Sequence, residues 1–222
     1  MKIDFIITKM IFIFCIVVAI ISITLIKNIR NNNSVKQLQS QIIFLQNAVD
    51  VFYRKYDALP GDITNADLFK LSHYPSNGNG DGIVTDPING YSIFDGEIAN
   101  FWLHLGNSSF LDYQYDGATN EMARPGYSMP LAYKTDVGIF AFGSDAKNFL
   151  HIGFVQADNA KIYTKPAIAG KNAQTIDAKI DDGNPQTGKI TATSIGSSDN
   201  GNCWQDNQYQ TSNAFCQLKI EL

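Results

Sequence analysis

Seventeen consecutive residues, Met10 to Ile26 (MIFIFCIVVAIISITLI), contain no charge, no proline and no glycine. Lys9 and Lys27 bracket the run. A helix crossing ~30 Å of hydrocarbon usually needs about 20 apolar residues. Lysine snorkelling and the apolar stretch Ile3–Ile7 extend this one to that length. A cleaved secretory signal would place small residues after its apolar core. Here the chain continues as Lys27-Asn28-Ile29-Arg30. The expectation is a retained single span. Lys2 and Lys9 lie on one side of it, and Lys27, Arg30 and Lys36 on the other, so charge alone leaves its orientation open.

Beyond the run, Val35, Leu38, Ile42, Leu45, Val49, Phe52 and Tyr56 recur at steps of three and four. That is one face of a helix. Lys36, Gln37, Gln39, Ser40, Gln41, Gln46 and Asp50 fall between them and suit a wet face. No helix breaker intervenes from Met10 to Tyr56, so span and amphipathic segment read as one rod of roughly 70 Å. The rod should stop at Ala58-Leu59-Pro60-Gly61-Asp62, because the residue before a proline disfavours helical geometry and glycine interrupts it. The stripe has two uses: covering the chain's own globular part, or packing against other copies.

The chain of 222 residues is long enough for an anchor and one medium domain. This divides it into residues 1–27 (anchor), 28–57 (amphipathic continuation) and 58–222 (globular domain). The globular part is rich in Gly, Asn, Asp, Ser and aromatics. Helical patterns fall at Asn65–Leu71 and at Glu97–Leu105, where Ile98, Phe101, Trp102 and Leu105 share a face. Strand patterns fall at Met129–Lys134, Gly138–Phe142, Phe149–Phe154, Lys189–Thr193 and Phe215–Glu221. A long helix followed by strands predicts an α+β fold, with the helix laid across an antiparallel sheet. A net charge of −4, with the basic residues scattered, gives no surface for nucleic acid.

Cys203 and Cys216 flank a short polar segment, while Cys15 lies inside the apolar run. Neither of the first two belongs to a CxxC pair, and no histidine is near, so zinc is a poor reading. A disulfide is the better one. It would contribute roughly 3 kcal/mol and implies an oxidising compartment, hence a domain on the non-cytoplasmic side. Two unrelated buried thiols are the alternative.

Three strings together resemble type IV pilin-like proteins, including the pseudopilins of type II secretion. They are Phe52–Asp62 (FYRKYDALPGD), Asn77–Gly82 (NGNGDG) and Ile176–Gly188 (IDAKIDDGNPQTG). The C-terminal cysteine pair is similar to that family's closing disulfide. The resemblance implies a structural, non-enzymatic subunit. It would be anchored in a bacterial inner membrane, with other pilin-like subunits and the secretion or pilus machinery as partners. It implies that the anchor and the Val35–Tyr56 stripe carry assembly. Members of the family usually carry a Gly before the cleavage point, then Phe, and a Glu four residues later. Here Asp4 precedes Phe5, and Lys9 stands in the glutamate's place. The family reading therefore becomes that of an atypical minor subunit. The alternative is an anchored binding protein on the same scaffold, outside any filament.

Asn77, Asn79 and Asp81, followed by Gly82, place oxygen ligands on alternate residues, as a calcium loop begins. The twelfth position is Ile88 rather than Glu, which excludes an EF-hand. Asp86, Asp95 or Glu97 would have to close such a site; a solvated Asn/Gly turn explains the same residues. Asp177, Asp181 and Asp182 form a second acidic group. It reads as a turn whose carboxylates cap local amides, with Asp177 and Lys179 as an exposed pair; a metal site or a glycoside-cleaving carboxylate pair are the alternatives. No HExxH, GxSxG or GxxxxGK[ST] occurs, and His73, His104 and His151 are not at ligand spacing. His104 should be a partly buried helix residue, and Trp204, inside the cysteine loop, partly exposed.

Overall fold

A computed structural model describes residues 2–72, 77–85, 96–117, 123–132, 136–158, 161–193 and 202–222, with side chains left aside at 2–9, 156–158 and 161–164. Helix α1 runs without interruption from Lys2 to Tyr56. It is long and apolar enough to cross a membrane. Its two halves differ in what they touch. From Met10 to Asn33 every side chain is exposed. From Val35 onward one face enters the core: Leu38, Ile42, Leu45, Val49 and Phe52 are almost completely buried, and Tyr56 packs against the same cluster.

The rest of the chain supplies what covers that face. Helix α2 (Gly96–Asn107) buries Ile98, Phe101, Trp102 and Leu105. Strand β1 (Val137–Ser144) pairs antiparallel with β2 (Lys147–Asp158). Strand β3 (Lys161–Lys165) pairs with the far half of β2. Strand β4 (Ile168–Ala169) leads directly into helix α3 (Gly170–Ile180). Strand β5 (Ile190–Thr193) follows. A small ribbon comes next, β6 (Trp204–Gln205) and β7 (Gln208–Tyr209). The last strand, β8 (Phe215–Glu221), inserts between β2 and β5 and also pairs with β4. The result is α+β with an antiparallel sheet in the C-terminal part. Alternation along the strands sends Ile139, Ala141, Leu150, Ile152, Leu218 and Ile220 into the core shared with α1.

Several expectations change. Residues 64–70 form successive turns, not a helix. Their amides reach back three residues (Leu68 to Asn65, Lys70 to Asp67) or five (Leu71 to Ala66), and Lys70 has a positive φ of 58°. The Met129–Lys134 strand reduces to isolated bridges at Met129 and Leu131, since Pro130 has no amide to extend a ladder; residues 133–134 lie outside the described part. Helix α3 falls where none of the helical patterns above lies. Its apolar positions Ala173, Ile176 and Ile180 have helical spacing, but the acidic string that follows masks them.

The wet face of α1 is also less wet than its composition implies. Gln41 Nε2 donates to the Leu131 carbonyl, Gln46 Nε2 to Glu221 and Gln39 Nε2 to Thr175. Asn31 and Asn172 exchange two 3.0 Å hydrogen bonds. These amides lash the rod to the domain on either side of the apolar stripe.

Candidate functional sites

The Gly61-Asp62 corner and the Asn77–Gly82 loop fold against each other. Gly61 has φ +86°, and a Cβ there would collide with the Glu97 carbonyl oxygen, so glycine is required on two counts. Its amide donates to His104 Nδ1 at 3.0 Å. That fixes His104, expected to be partly buried, as a fully buried link between the helix exit and α2. Asp62, 3% exposed, accepts the amides of Gly80 (2.8 Å), Asp81 (3.1 Å) and Gly82 (3.0 Å). Glu97, equally buried, accepts those of Asn79 (2.7 Å) and Thr85 (3.0 Å).

Asp62, Asp81 and Glu97 thereby bring carboxylate oxygens within 4.8 Å of one another. Burial pushes the Glu97 carboxyl above its ordinary value, against the pull of its two amide partners, and the neighbouring Asp62 and Asp81 push the same way. Of the calcium quartet expected from sequence, the structure describes three members, Asn77, Asn79 and Asp81. Asn77 Oδ1 is engaged by the Asp67 amide. Asn79 and Asp81 bond to each other. Asp86 and Asp95 lie outside the described residues. Of the candidate closing groups, Glu97 is in place, and Asp62 joins it from a motif that the spacing argument did not connect. Calcium takes six to eight oxygen ligands. Five backbone amides bond to the two buried carboxylates, which ties the loop to the helix exit. A cleft of about 690 Å³ adjoins it, bounded by Tyr53, Tyr56, Asp57 and Asn148.

The second acidic group is also a tie. Asp177 is fully buried and does not pair with Lys179. One of its oxygens accepts the Tyr209 hydroxyl at 2.7 Å and the other the Gly183 amide at 3.1 Å. Burial nevertheless pushes its carboxyl up to about 6, the two hydrogen bonds only partly offsetting the loss of water. Asp181 accepts the Lys189 and Ile190 amides, and Asp182 the Asn184 amide and Thr187 hydroxyl. The capping role read from sequence is therefore present at all three residues. Cys203 and Cys216 form the disulfide. Trp204 is half-buried, its indole donating to the Ala192 carbonyl at 2.8 Å.

His151 stacks on Phe140, and burial together with Lys219 lowers it to about 3, which keeps it neutral. His73 lies outside the described residues. None of the catalytic constellations sought in the sequence is assembled among the described residues at these sites.

The Val35–Tyr56 stripe takes the first of its two expected uses: Val35, Leu38, Ile42, Leu45, Val49 and Phe52 are buried in the chain's own core, and half-buried Tyr56 packs against it. Besides Tyr53, 49% exposed, the large apolar groups that α1 leaves bare at this height are Ile43, Phe44 and Val51, 47%, 50% and 42% exposed. At 100° per residue they span an arc of about 100° on the opposite side. No family model matches the chain, and no curated protein or solved structure is significantly similar to it.

Proposed function

We propose that this protein is a pilin-like structural subunit, in a minor position, of a type II secretion or type IV pilus-like assembly, held in the bacterial inner membrane by α1 with its domain on the non-cytoplasmic side. The observation that carries the reading is the division of one continuous helix. Its Met10–Ile26 stretch is apolar on every side, and from Val35 onward it is clamped by an α+β domain that leaves Ile43, Phe44 and Val51 bare. A helix apolar all round belongs in lipid or among other helices. Ile43, Phe44 and Val51, set among Lys36, Ser40, Asn47 and Arg54 on that face, are where a neighbouring rod would seat. The disulfide fits the oxidising side of a membrane.

The mechanism is mechanical. Lipid stores the subunit, and withdrawal into a filament exchanges lipid contacts for helix contacts. Lys9 weighs on the filament position, because an ammonium cannot replace a carboxylate that pairs with a neighbour's N-terminal amine. That favours a minor over a major place. It also sustains the second reading, an anchored binding protein outside any filament.

The test is co-purification with pilin-like subunits after shearing, comparing the native chain with an Ile43→Ser/Phe44→Ser/Val51→Ser variant. Incorporation should fall while the melting temperature holds. Unchanged incorporation would sink the proposal. N-terminal sequencing separates the two readings: a processed, methylated end near Phe5 supports the filament, and an intact Met1 supports the plain anchor.

A further inference from the structure

Between α1 and α3 lies a groove of about 620 Å³ whose lining includes Lys36, Lys171 and Lys179 but no carboxylate. In a chain with 21 acidic and 17 basic residues this local excess runs against the whole. None of the three lysines forms an ion pair among the described residues, and all three are exposed. The nearest acid on α3, Asp177, is buried on the other side and held by Tyr209. The walls are fixed by the Asn31–Asn172 exchange and by Gln39 bonding to Thr175.

Height along α1 decides what the groove meets. Counted from Ile26 at 1.5 Å per residue, Asn31 stands about 7.5 Å and Lys36 about 15 Å beyond the apolar run. Each headgroup layer is about 5–7 Å thick, and lysine stems reach several ångströms further. The Asn31 end of the groove thus stands at the outer edge of the headgroup layer, and Lys36, about 8 Å further out, reaches back toward it through its stem.

We infer that this groove binds the phosphodiester headgroup of an anionic phospholipid, with Lys36, Lys171 and Lys179 supplying the charge and Asn31 and Asn32 adding amide donors. The bound headgroup docks the domain base on the bilayer and limits how far the domain tilts about the rod. The inference rests on α1 crossing a bilayer and is independent of filament incorporation.

The test uses the full chain in nanodiscs of mixed phosphatidylglycerol and phosphatidylcholine, counting lipids retained on the released protein by native mass spectrometry. Each lysine near an anionic surface contributes roughly fivefold. The native chain should therefore hold phosphatidylglycerol at least about tenfold above its bulk share. A Lys36→Gln/Lys171→Gln/Lys179→Gln variant should lose most of that enrichment while melting as the native chain does. Lys27 and Arg30 remain in both, so enrichment that survives in the variant belongs to the ordinary basic flank and overturns the groove. Enrichment abolished by millimolar inorganic phosphate would assign the site to a free anion and overturn it as well. Failure to enter nanodiscs would overturn the span and the groove together. Entry without headgroup preference overturns the groove alone.

Discussion

Asp177 is the residue whose chemistry the surroundings alter most informatively. Its folded carboxyl titrates at about 6, above the ordinary 3.8, because burial outweighs the Tyr209 and Gly183 hydrogen bonds. A raised folded pKa means that protonation favours the folded state. This contribution is fully present below about pH 3.8 and is lost as the pH rises through about 6. In thermal melts of the full chain in mild detergent, Asp177→Asn should raise the melting temperature relative to the native chain at pH 7.5 and leave it close to native at pH 4. Tyr209→Phe should do the reverse at the higher pH. It strips the ionised carboxylate of a partner, at about 1–3 kcal/mol, and should cost less at pH 4. An equal loss at both pH values would show that the hydroxyl does not serve the charge. In the sequence, the turn-forming capacity of Asp181-Asp182-Gly183-Asn184 was legible from composition. The burial of Asp177 was not, because Tyr209 reaches it from 32 residues away.

At the scale of elements, α1 is governed by two different solvents. Periodicity alone marked Val35 to Tyr56 as a face, since apolar groups three and four apart stack on one side of any helix. Whether that face meets its own sheet or a neighbour depends on where α2, α3 and the sheet come to rest. The structure places them on the stripe, which makes Phe52 a core residue. Phe52→Ala should destabilise the chain by about 3–5 kcal/mol in urea titrations, whereas Phe44→Ala should stay within about 0.5 kcal/mol. Comparable losses at the two positions would contradict the assignment of faces. The strands Phe149–Phe154 and Phe215–Glu221 were visible as runs of β-forming residues and lie within or on β2 and β8. Strands β3 and β4 were not, since each is short and acquires its identity from the longer strand beside it.

For the molecule as a whole, the C-terminus is the keystone. Strand β8 pairs with β2, β4 and β5, and Cys216 within it is tied to Cys203. A cross-link at that position restrains the ribbon of β6 and β7 against the central sheet. Replacing both cysteines by serine should lower the melting temperature by roughly 6–12 °C, from about 3 kcal/mol of lost chain restraint spread over a domain of this size. A reducing agent acting on the native protein should reproduce that shift. A melting temperature indifferent to both treatments would show that the strand pairings of β8 suffice by themselves.

What the sequence determined by itself are the features that depend on neighbours in the chain. The bare apolar run follows from an absence of charge, the rod from an absence of breakers, and the exit from Pro60-Gly61. Tertiary structure decided everything that needed two distant segments at once. It joined Asp62 to the Gly80–Gly82 amides and Glu97 to Asn79 and Thr85, tying the loop to the helix exit. It turned the amphipathic stripe inward and left Ile43, Phe44 and Val51 outside. The physical reason is the same in both cases. A carboxylate or an apolar face has a fixed demand, but which partner meets it is settled by packing across the whole fold.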